Sequence, residues 1–68
     1  MFVSFKSVID SISEDKIISF VNRPGGYRMP EHPEDVRECL KHAFHHGLTV
    51  EVTYDDQNYL IQDARPGQ

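Results

Sequence analysis

Asp35, Cys39, His42 and His46 follow one another at spacings of four, three and four residues. On a helix those spacings place all four side chains along one edge. Carboxylate, thiolate and imidazole are the ligand types that zinc prefers, and two histidines one turn apart can share an ion. Against a zinc site stands geometry, because side chains on a single helix diverge and seldom close a tetrahedron. The chain has no second cysteine and no CxxC or HExxH pattern to complete one. The competing reading is a solvated polar flank, with Cys39 as a small apolar group at the border of the buried stripe. Cys39 and His42 would also need an orienting third group and oxyanion donors in a cleft to act as a nucleophile pair. So short a chain has little room for such a cleft, and the sequence argues against an enzyme.

A second set surrounds the flexible pair Gly25–Gly26, where Arg23, Tyr27 and Arg28 could offer forked guanidinium donors and open backbone N–H groups to an anion. The plainer alternative is a solvated loop with Tyr27 folded back on a sheet. A third set, Tyr54 and Tyr59 with Phe20, would stand on the open side of a sheet. Exposed aromatic rings there mark contact surfaces more often than catalytic ones.

The elements that must position these residues are uneven in clarity. Residues 33–46 read as a helix, with Pro33 at its first position, Glu34 and Asp35 against the positive end of the dipole and Gly47 as the left-handed stop. Val36, Leu40, Ala43 and Phe44 share one apolar stripe. Like-charge neighbours Glu34–Glu38 and Arg37–Lys41 oppose the helix weakly, so packing must hold it. Residues 48–54 alternate, with Leu48, Val50, Val52 and Tyr54 facing one way and Thr49, Glu51 and Thr53 the other, as in a half-buried strand. Residues 59–64 return after a turn at 55–58. Residues 16–22 form a further strand, and residues 2–9 favour strand although Phe5, Val8, Ile9 and Ile12 also match helical spacing. Residues 10–15 read as turn, 23–31 as irregular loop and 65–68 as a loose tail.

The expected fold is therefore α+β, a single small domain over residues 1–64 in the order β-β-α-β-β. Four mostly antiparallel strands form the sheet, and the helix packs on one face. Leu48, Val50, Val52, Val36, Leu40 and Phe44 are the expected centre of the core.

With 68 residues, the chain hides roughly 60% of its unfolded surface, a thin margin for stability. A single cysteine cannot form an internal disulfide, so self-association is the expected staple. The opening MFVSFKSVID lacks a basic region followed by an apolar run, and no stretch nears the ~18–20 apolar residues of a membrane span. An unpaired cysteine fits a reducing compartment, hence the cytoplasm. Net charge is −4, which disfavours binding to phosphate backbones. These readings converge on a small acidic interaction module, an accessory or inhibitor protein that binds a protein partner or itself. Zinc or ligand binding on the helix flank is the first alternative, and nucleic-acid binding through Arg23 to Arg28 is the second.

Overall fold

Six elements run along the chain in a computed structural model that describes residues 1–67. They are β1 (Phe2–Ile12), β2 (Ile17–Phe20), β3 (Tyr27–Arg28), α1 (Glu34–His46), β4 (Thr49–Asp55) and β5 (Leu60–Pro66). The class is α+β, as expected, but the sheet has five strands instead of four. It closes into a barrel in the order β1-β2-β3-β5-β4, with β4 bonded back to β1. All neighbours are antiparallel except β3 and β5, which run parallel and meet at Arg28 and Leu60. Three consecutive strands with a fourth returning beside the first make a Greek key, and β5 fills the remaining gap.

Closure depends on β1 being longer than its composition suggests. Its first part, Phe2 to Val8, pairs with Asp55 to Thr49 of β4. Its last part, Ile9 to Ile12, pairs with β2, and the register shifts between Ile9 and Ser11. Asp10 is the extra residue of that bulge, which bends the strand from one partner to the next. Asp10 and Ser11 therefore belong to a strand and not to a turn, and the helical reading of this segment falls. The turn is confined to Ser13–Lys16, where the Lys16 N–H donates to the Ser13 carbonyl at 2.9 Å and Lys16 takes φ 63°. The Ser13 hydroxyl oxygen accepts from the Ile17 N–H at 3.1 Å.

The fifth strand, β3, lies inside the stretch read as irregular. It is short, with Tyr27 opposite Ile18 and Arg28 opposite Ile17. Two further bonds anchor it: Arg28 N–H to the Tyr59 carbonyl at 2.8 Å, and Met29 N–H to the Lys16 carbonyl at 3.0 Å. Gly26 is needed beside it, since a Cβ there would overlap Ile17 Cγ2. The tail is also corrected. Arg65 and Pro66 belong to β5, opposite Glu51 and Val50, and the Gly67 N–H donates to the Thr49 carbonyl at 3.0 Å. Gln68 lies outside the described residues.

Helix α1 starts one residue later than expected. Pro33 is its N-cap, at φ −75° and ψ 159°, and the Asp35 carboxylate accepts from the Val36 N–H at 3.0 Å. Gly47 ends it at φ 63°, as the missing Cβ predicts, and the Leu48 N–H closes on the Ala43 carbonyl at 2.9 Å. The helix lies against β5, β1 and β4 with Val36, Leu40 and Ala43 buried, while Phe44 is half-buried. Ile18, Leu40, Val50, Val52 and Ile61 have no exposure at all. Leu48 was expected among them but is 37% exposed, because it closes the helix cap before β4 begins. No helix among the described residues is long and apolar enough to cross a membrane.

Candidate functional site

The Tyr–Arg residues of the second and third sets converge. Closing the sheet turns Tyr54 and Phe20 inward, so that they are buried and not on an open face. Tyr27, folded back from its loop, enters the same interior. The ring of Tyr27 sits 4.8 Å from Tyr54, 5.3 Å from Phe20, 5.4 Å from Phe5 and 5.8 Å from Tyr59, centre to centre. Most of these pairs are edge-on or tilted, the arrangement in which a ring's positive rim meets a negative face.

Arg23 covers this aromatic cluster. Its guanidinium carbon stands 3.9 Å from the centre of the Phe5 ring, and its Nε–H donates to the Tyr27 hydroxyl at 3.4 Å. Guanidinium over ring is worth about 0.5–2 kcal/mol, rising as water is excluded. The bond to Tyr27 raises the Arg23 pKa further above its ordinary value. Burial pushes the Tyr54 phenol up, and neighbouring Tyr27 adds to this while Arg23 opposes it. The two ion pairs among the described residues are Met1 amino to Asp56 and Arg65 to Glu51, each at 3.2 Å. Arg23 is thus half-buried on rings and hydroxyls, with no carboxylate against it among the described residues.

Tyr59 forms the outer wall of the cluster. It is 49% exposed, and its ring lies nearly parallel to that of Tyr54, at 11° and 5.8 Å. Its backbone takes φ 59°, a left-handed conformation uncommon for a bulky side chain. The turn enforces it: Tyr59 N–H donates to the Asp55 carbonyl at 2.7 Å and Leu60 N–H to the Asn58 side-chain oxygen at 2.9 Å.

Arg28 parts from this group. It is exposed and lines an open groove of about 360 Å3 together with Met29, Pro30, Glu31, His32 and Leu60. Phe5, the bed under Arg23, escaped the sequence reading because it resembles any inward strand residue. The groove escaped it too, since only the β3–β5 junction brings Leu60 to Met29.

The helix flank is brought together only in part. The rings of His42 and His46 come within 4.4 Å, on exposed residues. Cys39 is half-buried and packs against the core, and its thiol pKa is raised chiefly by that burial. Among the described residues no three His, Cys, Asp or Glu side chains gather closely enough to hold a metal ion. Zinc is accordingly expected to leave the unfolding midpoint unchanged. A zinc-dependent rise that disappears in a His42→Ala, His46→Ala double variant would restore the metal reading.

No protein-family model, curated protein or solved structure matches this chain.

Proposed function

We propose that this chain is a cytoplasmic protein-interaction module, an accessory or inhibitor protein that binds through the Arg23–Tyr59 end of its barrel. The observation that carries the reading is half-buried Arg23, its guanidinium laid on the Phe5 ring with no carboxylate against it among the described residues. Arginine and tyrosine are, with tryptophan, the side chains enriched among those that dominate binding energy at protein contacts. The groups gathered here recognise by stacking and hydrogen bonding, which fits binding and not turnover.

Two kinds of partner fit. Of the two reasons to expect a second copy, closure removes the open sheet with Phe20 and Tyr54 exposed, while the thin margin of a short chain with a single cysteine stands. A second copy docking through Tyr59 stays in play, and light scattering separates the cases. A dimer split by Arg23→Gln makes the partner another copy of this chain, whereas a monomer points to a different protein. In that case a protein captured by the wild type should be lost with Arg23→Gln and with Tyr59→Ala, yet kept with Lys41→Ala on the helix. Equal capture by all four would refute the assignment of this end.

A second reading rests on the strand order. Five-stranded Greek-key barrels of the OB kind bind oligonucleotides or oligosaccharides across strands two and three and the adjoining loops. This is analogy at the level of fold alone. Here Lys16 and Arg28 flank that face, but Glu14 and Asp15 in the first loop and Asp55 and Asp56 in the last oppose a polyanion. Retention on single-stranded DNA or RNA that falls steeply with salt would favour it over the protein partner.

A further inference from the structure

We propose that the Arg23 end of the barrel is a binding site for a single carboxylate carried on an apolar or aromatic body, the free C-terminus of a partner chain being its source. The inference rests on the protein-interaction reading above and names the chemistry that would be recognised there.

The geometry supplies three parts of such a site. First, the guanidinium is fixed before any ligand arrives. Phe5 supports its face at 3.9 Å and Tyr27 takes its Nε–H at 3.4 Å, so the plane cannot rotate freely. Second, a guanidinium whose Nε–H is already taken still carries its two terminal nitrogens as a parallel pair of donors, the arrangement that matches the two oxygens of a carboxylate. Third, Tyr59, its ring 5.8 Å from the Tyr27 ring whose hydroxyl holds Arg23, is half-exposed at φ 59° and offers an apolar wall for whatever carries the carboxylate. Pre-fixing both parts lowers the ordering cost of binding.

Charge selects the anion. One guanidinium is on offer, the chain is −4 overall, and Asp55 at the end of β4 and Asp56 lead into the turn that carries Tyr59. A singly charged, planar carboxylate meets little repulsion there. A doubly charged phosphate or a nucleic-acid strand meets more.

The test is a titration of the isotope-labelled chain, followed by NMR of the Arg23 side-chain N–H and the Tyr59 amide. Four probes are added separately: the peptide acetyl-Gly-Phe with a free C-terminus, its C-terminal amide, 3-phenylpropionate and inorganic phosphate. The expected result is saturable binding of the free-acid peptide in about the millimolar range or tighter, with the amide weakened about ten- to a hundredfold. Binding of 3-phenylpropionate as tight as the peptide would show that a small carboxylate suffices, and would overturn the assignment to a chain end. Phosphate binding as well as the peptide, equal binding of peptide acid and amide, or no saturable response to any probe would overturn carboxylate recognition.

Arg23→Lys keeps the charge but loses the fork, so the peptide should weaken about tenfold or more while the amide spectrum stays dispersed. If Arg23→Lys unfolds the chain, Tyr59→Ala reads the same site from its exposed wall and should weaken the peptide without unfolding. Unchanged peptide affinity in Tyr59→Ala would overturn the geometry argued here. Failure of all four probes alongside loss of a captured protein in Arg23→Gln would leave the interaction reading standing and remove only its carboxylate chemistry.

Discussion

Leu40→Ala is expected to lower the thermal unfolding midpoint by roughly 12–24 °C, followed by circular dichroism. Leu40 is wholly buried between α1 and the barrel, so truncation removes apolar contact and leaves a cavity, at about 3 kcal/mol. In a domain of this size each 1 kcal/mol moves the midpoint by about 4–8 °C. The loss consumes much of the stability that so small a core provides, and the variant should be partly unfolded at 37 °C. Lys41→Ala, on the exposed face of the same helix, should stay within about 0.5 kcal/mol of the parent. Equal midpoints for the two variants would mean that α1 does not dock on the barrel through Leu40.

Tyr27→Ala should be at least as damaging, at about 3–5 kcal/mol, because it empties the centre of the aromatic cluster. The effect on architecture should be larger still, since Tyr27 is one of the two residues of β3. Without its ring, β2 and β5 lose the short strand that joins them. Tyr27→Phe is the informative companion. It keeps the ring, loses the hydroxyl that orients Arg23, and should cost only about 1 kcal/mol. Tyr54, packed against it, adds a pH signature. Its folded pKa is raised, so its contribution is fully present below the unfolded value of about 10 and is lost as pH climbs through the higher folded value. Alkaline unfolding should therefore steepen above about pH 10 in the parent and flatten in Tyr54→Phe. Identical alkaline curves would show that Tyr54 is not held neutral in the core.

What could be read from the sequence was whatever is specified locally. Helix α1 announced itself through Glu34, Asp35 and Gly47 at its ends and through Val36, Leu40 and Ala43 on one stripe. Strand β4 did so by alternation, with Val50, Val52 and Tyr54 inward as expected. What stayed hidden depends on partners distant along the chain. Asp10 and Ser11 look like turn residues and become strand because a bulge there lets β1 change neighbours. Tyr27 and Arg28 carry no strand pattern, and only the edges of β2 and β5 make them one. Tyr54 was read on the correct face of its strand, but that face became an interior only when β4 bonded back to β1. The candidate site followed the same rule: Arg23, Tyr27, Tyr54 and Tyr59 were legible as residue types, their convergence on Phe5 was not.

The pairing of β1 with β4 also sets the order in which the barrel can assemble. Phe2 finds Asp55 and Val8 finds Thr49, so more than half of the chain lies between partners. Ladders that close such long loops delay the rate-limiting step, and a domain built on them folds on the order of milliseconds to seconds. During synthesis β1 leaves the ribosome well before β4. Until then only its far half has a partner, through Ile9–Ile12 on β2 and the Val8 carbonyl, which accepts from the Val21 N–H. The near half, with Phe2, Val3 and Phe5, waits as an unpaired apolar strand open to intermolecular pairing. Lys6, interleaved among those residues, puts in that strand a charge of the kind that hinders such pairing.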